Sequence, residues 1–206
     1  MRPLKQQLHR LAQRFRHDDK AVAAVEFALI FPFMLLLYFG SMEAAALFTV
    51  DKRVNSVSAT IGDLVSQWDM DDGKMPTNTF NDYLSASVAI ISPFSSQGLS
   101  VVVTLVKVNS DGSTNILWSK ANAAGIARTV GDTFPDLAAT QKMNQVARKG
   151  CVIAAEASYS YSPMLAQVFT STYRLSHTNY LLPRYGSQVA MNLEDTTLAN
   201  GACTAA

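Results

Sequence analysis

The stretch from Ala21 to Trp68 constrains this chain more than any other. It opens AVAAVEFALIFPFMLLLYFG, a nearly continuous apolar run, and then carries apolar residues at helical spacing. A helix that is apolar on every side needs lipid or protein around its whole circumference. Taken from Ala21 to Val50 it would measure roughly 45 Å at 1.5 Å per residue, enough for the hydrocarbon core and both interfaces of a bilayer. Pro32 removes one backbone hydrogen bond, which predicts a kink in the middle third. Gly40-Ser41 and Ala44-Ala45-Ala46 read either as a small-residue surface for a neighbouring helix or as filler. Farther on, Val50, Val54, Val57, Ile61, Leu64 and Trp68 are spaced by fours and threes and read as a heptad seam. The seam is expected to dock on the chain's own folded part, the alternative being a coiled-coil contact with another protein.

The overall charge of +1 conceals an asymmetry. Arg2, Lys5, Arg10, Arg14, Arg16 and Lys20 precede the apolar run against Asp18 and Asp19 alone. By the positive-inside rule the N-terminus is expected in the cytoplasm and the remainder outside. Leu4, Leu8, Leu11 and Phe15 give the basic segment an apolar face suited to the anionic inner leaflet, or else the segment is a disordered tail. A competing reading is a cleavable signal with its core at Phe27 to Phe39 and a small-residue site at Ala44-Ala45-Ala46. The basic run is short and has no interleaved stacking aromatics, so nucleic acid is not an expected partner.

Beyond the helix, DMDDGKMPT at Asp69 to Thr77 ends the apolar pattern and starts a loop. It has the beginning of a calcium-loop spacing but neither the third ligand nor the distal glutamate. Thr77 or Asn78 would cap a helix through Ile91 with Phe80, Leu84, Val88 and Ile91 on one stripe. Two β-branched runs, Leu99 to Val108 and Thr114 to Lys120, flank Ser110-Asp111-Gly112-Ser113 and predict a hairpin. An amphipathic turn or helix with Leu137, Met143 and Val146 is expected over Pro135 to Lys149, with Gly150 as its stop. Cys151, Ile153, Ala155, Ala157, Tyr159 and Tyr161 alternate with Glu156, Ser158 and Ser160, the period of a half-buried strand. A loop or short helix around Ser162 to Phe169 precedes a last strand pattern from Thr172 to Leu182. The expected fold class is α+β: a long N-terminal transmembrane helix extended into a stalk, then a head with an antiparallel sheet of about four strands and one or two helices. The organisation reads as a basic cytoplasmic tail at 1–20, a transmembrane helix at 21–50, a helical stalk at 51–70 and a periplasmic head at 71–206.

The two cysteines, Cys151 and Cys203, are expected to pair in an oxidising compartment, which by chain entropy would stabilise the fold by roughly 3 to 4 kcal/mol. Enzyme templates are missing: there is no P-loop, no GxGxxG and no HExxH, and the histidines are His9, His17 and His177. His177 alone lies beyond the membrane stretch, and a single strand histidine is ordinarily a surface or core residue. The expectation is a non-enzymatic chain with no catalytic residue, no cofactor, no metal and no small-molecule substrate.

The two glutamates in the apolar run remain. A carboxylate in a membrane helix costs a few kcal/mol and persists with a partner. Glu26 either reaches the headgroups or pairs with Lys20, or it meets a positive group on a neighbouring subunit such as an N-terminal amine. Glu43 falls near the outer interface.

Lys20 to Glu43, K-A-V-A-A-V-E-F-A-L-I-F-P-F-M-L-L-L-Y-F-G-S-M-E, resembles the N-terminal signature of the TadE-like (TadE/TadG) proteins of the tight-adherence, or Flp, pilus system. Leu182-Pro183-Arg184-Tyr185-Gly186 is similar to a C-terminal element of some members. The resemblance implies a minor pseudopilin-like inner-membrane protein in assembly or initiation of a type IVb pilus used for adherence or secretion. Its implied partners are other minor pilins, the assembly platform and the prepilin peptidase. Glu26 and Glu43 are then subunit-packing residues, and counting back from Glu26 places the peptidase site between Ala21 and Val22, with alanine where that peptidase prefers glycine. The alternative is a membrane-anchored periplasmic binding module unrelated to pili.

Overall fold

Alanine, leucine and methionine recur throughout the sequence from Ala21 to Phe48, no glycine intervenes before Gly40, and the backbone takes the helical form these residues favour. The computed structural model of the chain describes residues 19–68, 75–138, 150–163 and 172–184. Helix α1 (Asp19–Ser66) runs through Pro32. It supplies the described part of a first compact unit, Met1–Ala46, and the opening of a second, Leu47–Ala206. The expected features of 1–18, the acidic loop at 69–74, Met143, Val146 and most of 162–169 lie outside the described residues.

The second unit is a four-stranded antiparallel sheet with its two longer helices on one face, the α+β arrangement expected from the sequence. Its elements are α2 (Thr77–Ile91), β1 (Leu99–Val108), β2 (Thr114–Ala121), a single turn α3 (Pro135–Ala138), β3 (Cys151–Tyr161) and β4 (Tyr173–Leu181), with strand order β2-β1-β3-β4. The β1–β2 hairpin closes at the expected Asp-Gly. Gly112 adopts φ 88°, where a side chain is strained, and Asp111 Oδ1 accepts from the Ser113 amide at 2.9 Å. The Asp111 carboxyl lies below its usual range because it accepts hydrogen bonds from the Ser113 hydroxyl and then from the Ser113 backbone. Between Leu105 and Val106 the pairing shifts by one residue, so that Trp118 stands opposite Leu105 and Ile116 opposite Val106.

That shift lets β2 serve both faces. Trp118 meets Phe80 of α2 edge to face at 6.0 Å, which ties α2 to the face that carries Leu105, Ile153 and Ala155. On the opposite face Ile116 joins Val106, Val108, Val152, Ala154, Phe134 and Leu137 in a second cluster, with Tyr180 packed against it. The half-buried strand expected for β3 is therefore buried on both sides over its first half, from Cys151 to Ala155. Buried Thr114 is satisfied twice by Phe134, its hydroxyl donating to the carbonyl and accepting from the amide, each at 3.1 Å.

Helix α1 packs its last turns on the β3–β4 half of the helix-covered face. A Cβ placed on Gly62 would collide with Leu181 Cδ1 and lie 3.0 Å from the Ala155 Cβ, so glycine permits the helix to approach this closely. Successive polar links follow the axis: Asp51 with His177 at 2.7 Å, Ser58 with Asn179 at 2.7 Å, and Asp63 with Arg184. The Arg184 amide also donates to the Ser66 carbonyl at 2.9 Å and so satisfies one of the open carbonyls at the helix end. Arg53 donates to the Ile90 carbonyl at 2.8 Å and joins α1 to the end of α2.

Three details depart from the sequence expectations. The buried apolar line on α1 is Val50, Val54, Val57, Ile61 and Val65, while Leu64 and Trp68 are half-buried. A straight helix turns every 3.6 residues, so a strict heptad drifts off the contact face within three turns and Val65 replaces Leu64. On α2 the buried set is Phe80, Leu84, Ser87 and Ile91, with Val88 half exposed, and Ser87 tolerates burial by bonding back to the Leu84 carbonyl. The α2 N-cap is Pro76 and makes no side-chain cap bond.

Candidate functional site

The described part of the first unit is an apolar helix with a carboxylate toward each end. Phe33, Met34, Leu35, Leu36 and Leu37 point in five directions over more than one turn, and each is between 37% and 74% exposed. The most apolar window of the helix is not buried at all by the rest of the protein. By length and composition α1 is able to cross a membrane. Phe27 stacks on Phe31 at 5.3 Å, and Ser41 returns its hydroxyl to the Tyr38 carbonyl at 2.8 Å. Ser41 thereby keeps its hydroxyl bonded within the helix, as a polar side chain in hydrocarbon requires.

Glu26 is exposed on this helix and Glu43 half-buried. They are seventeen positions apart, about 25 Å along the axis and about 100° around it, so they mark the two ends of the uncharged run on different faces. Ala21 and Val22 are the third and fourth residues of α1. Their peptide bond lies in the first turn, where amides have no intrahelical acceptor and the backbone frays most readily.

The remaining sequence candidates lie in the second unit. Cys151 begins β3 and is buried, while Cys203 lies outside the described residues. His177 faces α1 from β4 and its Nε2 meets Asp51, a helix-to-sheet tie. Arg184 of the C-terminal element ties β4 to the end of α1, and Tyr185 and Gly186 lie outside the described residues. Among the described residues no group of three His, Cys, Asp or Glu side chains is gathered in a way that could hold a metal.

Sequence reasoning missed the pair Arg128–Glu156. Arg128 Nε donates to Glu156 Oε2 at 2.8 Å and Nη2 to Oε1 at 2.5 Å, and the guanidinium lies 4.5 Å from the centre of the Phe134 ring. The available signal was Glu156 itself, the one charge on a strand otherwise built of apolar residues, alanine, serine and tyrosine, which demands a partner when its face is covered.

Comparison with curated proteins and with solved structures returned no match for this chain. A family model does match. The segment 21–62, which holds the apolar helix, both carboxylates and the turns of α1 that pack on the sheet, matches the model described as TadE-like protein, and that segment is the TadE-like part of this chain.

Proposed function

We propose that this chain is a non-enzymatic, single-pass inner-membrane component of a tight-adherence pilus system, acting as a minor pseudopilin-like subunit in assembly or initiation of a Flp-type pilus. The observation that carries the reading is the all-round exposure of the apolar residues of α1 between Glu26 and Glu43, within the TadE-like segment. Lipid covers such a surface in a single chain, and in an assembly the helices of neighbouring subunits take over part of it. The basic residues before Ala21 hold the N-terminus on the cytoplasmic side, and the second unit stands in the periplasm. There Cys151 and Cys203 pair as a disulfide.

Glu26 is the packing residue. Its carboxylate is expensive in hydrocarbon and is stabilised by a positive group on an adjacent subunit, which fixes the axial register between helices. Glu43, near the outer interface, plays the lesser part. Prepilin peptidase acts between Ala21 and Val22, and the remaining partners are other minor pilins and the assembly platform. The test is surface piliation of cells that express Glu26→Ala at the wild-type protein level. Loss of pili with retained membrane insertion is expected. Unchanged piliation removes Glu26 from the mechanism.

A further inference from the structure

The face of the sheet opposite α1 and α2 is unlike itself from one end to the other. At one end Phe134 and Leu137 close it with an apolar cluster. At the other end the segment 124–128 stands over the strands without filling the space, leaving a cleft of about 570 Å³. The antiparallel register lines its floor. Ser100, Ser158 and Ser176 lie side by side across β1, β3 and β4, and in the flanking rows Ser160 faces Arg174 and Glu156 faces Thr178. The three hydroxyls of the row stand about one strand spacing apart, roughly 4.8 Å.

Charge is distributed along the cleft rather than pooled. Arg174 is exposed on the edge strand, and its side chain makes no hydrogen bond or ion pair among the described residues. Glu156 lies four residues along β3 from the row of Arg174, about 13 Å at the strand rise. Arg128 holds both Glu156 oxygens, which leaves roughly two lone-pair directions of that carboxylate free to accept. Ile126, at 89% exposure, forms an apolar lip over the floor.

We propose that this cleft binds an acidic saccharide, with the sugar carboxylate on Arg174, sugar hydroxyls on the Ser100–Ser158–Ser176 row and on Glu156, and the C–H edge of a ring against Ile126. A planar guanidinium without a partner recognises a carboxylate through paired N–H donors. The serine hydroxyls both donate and accept, as a polyol requires. A peptide is a poorer occupant of the floor, because extended peptides are recognised through free main-chain groups and those of β1 and β3 are committed to the ladder on both sides. The volume suits a di- or trisaccharide and the charge spacing spans one. The inference does not depend on the pilus reading.

The test is titration of the full chain in detergent micelles with a linear trimer of galacturonate, followed by calorimetry or by amide shifts. Saturable binding below about 1 mM is expected, at least tenfold weaker for the neutral maltotriose. Arg174→Gln should weaken the acidic trimer at least tenfold, and Ser158→Ala about threefold, with unchanged far-ultraviolet circular dichroism. Absence of saturation, equal affinity for the neutral trimer, indifference to Arg174→Gln in folded protein, or tighter binding of a triglutamate peptide each overturns the proposal.

Discussion

Gly62→Ala tests the close approach of α1 to the sheet, and two opposed effects set its sign. In a helix interior the replacement alone stabilises by about 1 kcal/mol, because alanine loses less backbone entropy than glycine. Here the new methyl meets Leu181 Cδ1, which is able to rotate away, and the Cβ of Ala155 at 3.0 Å, which is fixed to a central strand. Overpacking of a formed contact costs about 1–3 kcal/mol, so the net expectation is destabilisation by about 1 kcal/mol. Leu181→Ala alone removes part of a half-buried side chain and costs about 1–2 kcal/mol. In the double variant the truncated Leu181 relieves one of the two clashes, so the changes are non-additive by about 1 kcal/mol in the stabilising direction. The assay is urea unfolding in detergent micelles followed by the fluorescence of buried Trp118. Stabilisation by Gly62→Ala near its propensity value, or additivity within about 0.5 kcal/mol, would refute the contact between this turn and β3–β4.

Phe80→Ala should cost about 3–5 kcal/mol in the same assay and reduce the near-ultraviolet circular dichroism of Trp118, because it opens a cavity beside that ring. Asp111 has a folded pKa below its unfolded value, so its contribution is present above the unfolded value and is lost as pH falls through the folded one. The stability difference between wild type and Asp111→Ala should therefore shrink toward zero as pH is lowered below about 4, measured by the midpoint of urea unfolding. Labelling of the denatured, unreduced protein with a maleimide should detect no thiol at Cys151 or Cys203, and stoichiometric labelling would exclude the proposed disulfide.

Elements written in local pattern were legible. The Asp-Gly hairpin, the period-two run of β3 and the apolar run of α1 each carry their own evidence within a dozen or so residues. The TadE-like segment was legible for the same reason. What sequence misjudged depends on phase accumulated over distance, as at Val65 against Leu64, or on a polar residue that satisfies itself, as at Ser87 against Val88. The cleft was not legible at all. Ser100, Ser158 and Ser176 become a row only once β1, β3 and β4 pair in one register, and Arg128 comes from an irregular stretch with no periodicity to read. Glu26 and Glu43 had the opposite character, since a charge inside an apolar run needs no fold to be noticed.

The spacing of those two carboxylates has a bearing on the choice of membrane. An uncharged interval of about 25 Å is shorter than an average hydrocarbon thickness of about 30 Å. Tilting shortens the projection of the interval further, so the usual remedy for mismatch acts in the wrong direction here. A helix alone, with Glu26 not yet paired to a neighbour, is then best accommodated upright, in a thin bilayer or in one that it thins around itself. A patch of compressed lipid has a line energy, and two such patches lower that energy by merging. Helices with so short an uncharged interval would be drawn together by the membrane before any side chain had met another.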